Sequence, residues 1–133
     1  MGKRLLFVED DAEFRVVFTH AIREALADEG LDVAFVEAGT LAQARARLRE
    51  GGLDAALIDV TMPDGDGLEL VGEIHDGGVG GPIPTMVLTA SLDASVAVEA
   101  LDAGARGALS KLAPMRVAMD SIRRLTDAGS SEE

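Results

Sequence analysis

The chain has 133 residues, is 47% hydrophobic and contains no cysteine. That is enough for one core of ordinary size and too little for two, and it rules out a disulfide framework, a thiol nucleophile or a cysteine-based zinc site. Twenty-four acidic residues against twelve basic ones leave a net charge of −12, which repels phosphate backbones and anionic lipid and disfavours direct nucleic-acid binding. No stretch approaches the ~20 consecutive apolar residues of a membrane span, and the N-terminal apolar run is too short for a signal-peptide core. The expectation is a cytoplasmic domain with protein partners and no membrane association.

Short apolar runs alternate with segments of helical period. The first run, "RLLFVE" (4–9), is followed by Phe14, Val17, Phe18, Ala21, Ile22, Ala25 and Leu26, spaced along one helix face. "DVAFVEA" (32–38) precedes a second helix marked by Leu41, Ala44 and Leu48, with Thr40 and Gln43 in capping-box spacing. "DAALID" (54–59) leads through "PDGDG" to a third helix, marked by Leu70, Val71 and Ile74 behind Asp66 and Glu69. The glycine-rich "HDGGVGGPIP" (75–84) connects to "PTMVLTA" (84–90) and a fourth helix with an expected stripe of Ala94, Ala97, Val98 and Leu101. "GALSK" (107–111) and a fifth helix, marked by Met115, Ala118, Met119 and Ile122 with Pro114 suited to its first turn, complete the pattern.

Five strands alternating with five helices imply right-handed parallel crossovers, and runs such as "LLFV" and "AALI" suit strands covered on both faces. The predicted fold is α/β, a flavodoxin-like (βα)5 doubly wound parallel sheet of strand order 2-1-3-4-5. It is expected to occupy residues 1–126, with a polar C-terminal tail over 127–133.

In such a sheet, ligands sit beyond the carboxyl ends of the strands where the order reverses, here between the first and third. The first strand ends in Glu9, Asp10 and Asp11, and the third in Asp59. Two carboxylates ~4 Å apart repel by about 4 kcal/mol at an effective dielectric of ~20, so the group needs a cation or a proton to coexist. Oxygen-only ligands with room for water favour Mg²⁺ over zinc, and a backbone carbonyl just after Asp59, such as that of Thr61, could complete the protein share. Thr89 ends the fourth strand and Lys111 the fifth. An aspartate nucleophile, a metal, a hydroxyl and an ammonium in one crevice are the parts needed to receive a phosphoryl group.

With Glu9 and Asp10 after the first strand, Asp59 followed by "MPDGDG", "TA" at 89–90 and Lys111 after "GARGALS", the chain resembles the receiver domain of two-component response regulators from Lys3 to about Leu125. The resemblance implies transfer of a phosphoryl group to Asp59 from a sensor histidine kinase or phosphotransfer protein. Mg²⁺ would be held by Asp10, Asp59 and the Thr61 carbonyl and, through water, by Glu9, while Thr89 and Lys111 bind the phosphoryl oxygens. The family pattern implies a phosphoacceptor signalling domain rather than an enzyme, one that promotes its own phosphorylation and dephosphorylation. A downstream effector would read helix 4, strand 5 and helix 5, a face that leaves room for a homodimer.

Two positions depart from the family pattern. Ala108 stands three residues before Lys111, where the family usually carries Tyr or Phe, and Leu112 stands where a proline in a cis peptide bond usually follows the lysine. A non-proline cis bond costs ~3 to 4 kcal/mol, so the Lys111–Leu112 bond is expected to be trans. These departures motivate an alternative, a pseudo-receiver serving as a constitutive protein-interaction module. A Mg²⁺-dependent phosphohydrolase ranks behind both, for want of a second acid placed as general base and of a substrate-binding cap. The context of Lys111 resembles receivers joined to helix-turn-helix output domains, so a stand-alone regulator and part of a longer one are both open. Taken singly, Asp10 also reads as the cap of the first helix, Asp11 as a solvated first-turn acid, Asp64 and Asp66 as turn and cap residues, and His20 and His75 as surface residues.

Overall fold

Leu5, Leu6, Phe7 and Val8 are all fully buried in the first strand, β1 (Lys3–Val8), because each face of the sheet carries its own helical layer. Leu5 and Phe7 point into one cluster, and Leu6 and Val8 into the other. In the computed structural model, which describes residues 2–130, the remaining elements are α1 (Ala12–Asp28), β2 (Val33–Ala38), α2 (Leu41–Glu50), β3 (Ala55–Asp59), β4 (Thr61–Met62), β5 (Gly65–Asp66), α3 (Gly67–His75), β6 (Thr85–Thr89), α4 (Ala94–Ala103), β7 (Ala108–Ser110) and α5 (Met115–Ser130). The main sheet runs β2-β1-β3-β6-β7 with every pairing parallel. Counted along this sheet alone, that is the predicted 2-1-3-4-5 order. Ile22 and Leu26 of α1 and Ala118, Met119, Ile122 and Leu125 of α5 cover one face. Leu41, Ala44 and Leu48 of α2, Leu70, Val71 and Ile74 of α3, and Ala100 of α4 cover the other.

Several local expectations are corrected. The cap of α1 is Asp11, whose side chain accepts the Phe14 N–H at 3.1 Å, which leaves Asp10 free of that duty. At α2, Thr40 accepts the Gln43 N–H at 3.0 Å, while the Gln43 side chain reaches back to Gly39 N at 2.8 Å, one residue earlier than in a standard capping box. "PDGDG" contains more than a turn, since β4 and β5 pair as a short antiparallel hairpin between β3 and α3. In α4 the inward residue is Ala100, flanked by half-buried Val96, Ala97 and Ala103, while Val98 and Leu101 are exposed. No peptide bond among the described residues is cis, so Lys111–Leu112 is trans, as expected without a proline. Helix α5 continues to Ser130, into the segment read as a tail, whose residues 131–133 lie outside the described residues.

Candidate functional site

The register of the sheet builds the site. Val8 pairs with Ile58 across the parallel β1–β3 ladder, so the next residues, Glu9 and Asp59, leave adjacent strand ends side by side. They open into a crevice of about 540 Å³ whose walls include Glu9, Asp10, Asp59, Thr61, Thr89 and Lys111. One carboxylate oxygen each from Glu9, Asp10 and Asp59 lie within 4.8 Å of one another. Glu9 and Asp59 are buried, at 0% and 4% exposure, whereas Asp10 faces solvent. All six residues singled out from the sequence thus meet in one place, although they span about a hundred positions of chain.

Lys111 holds the two buried acids together. Its Nζ lies 2.7 Å from Asp59 Oδ2 and 2.8 Å from Glu9 Oε1. The other oxygens are held by backbone: Asp59 Oδ1 accepts the Thr61 N–H at 3.0 Å and Glu9 Oε2 accepts the Asp11 N–H at 2.9 Å. Burial pushes the Glu9 carboxyl above the ordinary glutamate value, against the opposing pull of Lys111 and the Asp11 N–H. Burial also pulls the Lys111 ammonium down, but its hydrogen bonds and charge interactions with Asp59 and Glu9 outweigh that and hold it above the usual lysine value. When ionised, three carboxylates and one ammonium leave a net charge of −2.

The donor set fits a hard divalent cation. Its ligands are oxygens only, one acid is open to water, and the fully buried Glu9 Oε1 is met by the Lys111 ammonium at 2.8 Å, a cation already seated among the carboxylates. Oxygen ligands and a crevice roomy enough for water favour Mg²⁺ over zinc.

Thr89 is buried at the rim, and its hydroxyl is oriented by Ser91, accepting that residue's N–H at 3.2 Å and donating to its carbonyl at 3.3 Å. Ser91, which lines the same crevice, was not among the residues singled out from the sequence. Phe14, read only as part of a core stripe, lies with its ring centroid 5.2 Å from Lys111 Nζ. It joins Phe7, Phe18 and Phe35 in one aromatic cluster, so every phenylalanine of the chain lies on this side of the sheet. The i, i+4 spacing of Phe14 and Phe18 places them on one face of α1, but only the three-dimensional contact brings the lysine over the ring.

A doubly wound sheet with three acids, a lysine and a threonine gathered at its switch point defines a flavodoxin-like domain with a preformed acidic crevice. The chain belongs to the response regulator receiver domain family, whose model matches residues 5–123. It is 36% identical over 107 residues to the swarming motility regulation protein RssB of Serratia marcescens, covering 80% of this chain and 45% of that protein. It is 35% identical over 111 residues to the response regulator MprA of Mycobacterium tuberculosis, covering 84% of this chain and 45% of that one. The chain thus spans about half the length of the curated relatives it matches. In fold it is similar to a CheY-like response regulator receiver domain protein from Methanospirillum hungatei, with a TM-score of 0.75, 24% identity and full coverage of both chains. The pseudo-receiver alternative finds no support in these matches.

Proposed function

We propose that this domain accepts a phosphoryl group on Asp59 from the phosphohistidine of a sensor kinase or phosphotransfer protein, in a Mg²⁺-dependent reaction that switches its binding to a downstream effector. The observation that carries the reading is the convergence of Glu9, Asp10 and Asp59 within 4.8 Å beside Lys111. Asp10, Asp59 and the Thr61 carbonyl would hold Mg²⁺, with Glu9 acting through water, and the bound ion would supply charge neutralisation for the phosphoryl oxygens. An Asp59 carboxylate oxygen forms a bond to phosphorus as the phosphorus–nitrogen bond of the donor breaks; the departing imidazole takes up a proton. Lys111 then turns from the Asp59 carboxylate toward the new phosphoryl oxygens, and the Thr89 hydroxyl donates to another of them. The same groups would assist attack of water on that phosphorus, in which the Asp59 oxygen–phosphorus bond breaks to return the carboxylate and release inorganic phosphate, so the domain promotes its own phosphorylation and dephosphorylation.

Residues 1–126 form the functional receiver unit in this reading, and the cytoplasm is the compartment in which a sensor kinase would meet it. The readout face is α4, β7 and α5, where Val98, Leu101, Met115 and Val117 are exposed apolar residues available to an effector or to a second copy. Incubation with a small phosphodonor and Mg²⁺ should add one phosphoryl group by mass spectrometry, with none in Asp59→Asn or in the presence of a chelator. A parent protein that gains no mass at any Mg²⁺ concentration would sink the proposal.

A further inference from the structure

We infer that Arg15 is a positioning residue for the metal-binding acids, acting through the Glu9–Asp10 peptide; the inference rests on the Mg²⁺-dependent reading above. Glu9 is the first residue past β1. Its N–H is still tied to the sheet, donating to the Ala38 carbonyl at 3.0 Å, but its carbonyl has left the ladder. Arg15, one turn into α1, donates from Nη1 to that carbonyl at 2.5 Å and from Nε to Glu37 Oε1 on β2 at 2.8 Å. One guanidinium therefore clamps the end of β1, the neighbouring strand and the first helix, and only 20% of the Arg15 side chain is exposed.

The consequence falls on Asp10. Its carboxylate has no hydrogen-bond donor among the described residues, so no side-chain partner fixes its aim, and the backbone sets the point and direction from which it enters the crevice. The Glu9–Asp10 peptide is planar, and fixing its carbonyl fixes the direction in which the Asp10 Cα departs. Glu9 gains from the same clamp, since its side chain must reach both Lys111 and the Asp11 N–H from one backbone position. Arginine suits the task because its planar fork presents two donors in a fixed relation, which a lysine cannot do.

The test is calorimetric titration of Mg²⁺ into the parent, Arg15→Met and Arg15→Lys, with thermal melts of each metal-free protein. Arg15→Met keeps the apolar stem and loses the donors. Loss of a partner that hydrogen-bonds a metal ligand directly weakens metal binding by about 10- to 100-fold; Arg15 acts through the Glu9–Asp10 peptide, so this variant should sit at the low end and bind Mg²⁺ about tenfold more weakly. Its phosphoryl uptake from a small phosphodonor should need correspondingly more Mg²⁺ yet reach nearly the parental rate at saturation. Arg15→Lys should fall between the two. A merely structural arginine would lower the melting temperature and leave Mg²⁺ affinity unchanged, so parental affinity in Arg15→Met overturns the inference. Should that variant not fold, parental affinity in Arg15→Lys does the same. A parent that binds no Mg²⁺ defeats the functional reading itself, which is a separate outcome.

Discussion

Lys111 sits where a single cation must serve two buried carboxylates, and its removal separates two effects of the same charge. With Met at 111, the acids at 9 and 59 lose the ammonium now 2.8 and 2.7 Å away. Removing one partner of a buried ion pair costs about 3–5 kcal/mol, and the 21% exposure of the lysine puts this case near the lower end, about 3 kcal/mol in metal-free urea unfolding. Protonation of Glu9, whose pKa is already raised by burial, offsets part of that loss as pH falls. The ammonium also competes with a dication for the same oxygens, so Lys111→Met should gain more thermal stabilisation from Mg²⁺ than the parent does. An equal or smaller Mg²⁺ increment would show that the lysine and the metal do not share ligands. At this scale the sequence was legible for residue types at strand ends, because parallel register makes the ends meet. It was silent on pairing: nothing in the spacing of Glu9 and Lys111 shows that the glutamate is long enough to touch the lysine directly, and a contact between Lys111 and the Phe14 ring depends on how α1 packs against the sheet.

The hairpin β4–β5, which carries Thr61, is held from outside by Asp64. Its two carboxylate oxygens accept the N–H groups of Leu41 and Ala42 at 2.8 and 3.1 Å, donors in the first turn of α2 that have no partner within the helix. Thr40 satisfies Gln43, so this helix is capped by two residues, one of them 23 positions away. The Leu41 N–H, with smaller help from Ala42, holds the Asp64 carboxyl below the usual aspartate value. A depressed folded-state pKa adds stability that is present above the unfolded value and is lost as pH falls toward the folded one. Asp64→Ala should therefore melt at a lower temperature than the parent at neutral pH, with the gap closing as pH falls below roughly 4. A gap that stays constant from neutral to acid pH would mean that the charged cap is not its source. Sequence reading took Asp64 for a turn residue, since a cap is expected within its own helix and a carboxylate arriving from another loop leaves no local pattern. A similar limit explains Asp10 and Asp11: Asp10 has Glu13 three residues on, as a cap would, whereas Asp11 has Phe14 there, and only the turn geometry shows that Asp11 is the cap. Helix α4 was misphased because its inner face is built from Ala100 and half-buried Val96, Ala97 and Ala103, leaving the larger Val98 and Leu101 outside. Size stopped being a guide to burial there. The strands themselves were found to within about one residue at each end, because runs apolar on consecutive positions are required of a sheet covered on both sides.

Across the whole molecule, a net charge of −12 opposes folding through self-repulsion and at the same time draws cations toward the crevice. Added salt acts on both effects, with opposite results. The Debye length falls from about 10 Å at 0.1 M to about 3 Å at 1 M, so repulsion among scattered surface acids is screened first. The ion pairs Arg15–Glu37 and Arg45–Glu73 are also weakened, but partly exposed pairs contribute only about 0–1 kcal/mol each. Excess negative charge far outnumbers such pairs, and its screening should dominate. Raising potassium chloride from about 0.05 to about 0.5 M should therefore raise the melting temperature of the metal-free chain while weakening Mg²⁺ binding in calorimetry, as the long-range attraction and the −2 crevice charge are both screened. The opposed signs give the prediction its force, because a salt that merely occupied the crevice would stabilise the fold in proportion to the Mg²⁺ affinity it removed. Asp59→Asn separates the two. It removes one of the proposed metal ligands and leaves a net charge of −11, close to the parental −12, so its melting temperature should still rise with salt. A melting temperature that falls with salt in both proteins would show that local ion pairs, rather than net charge, govern the stability of this fold.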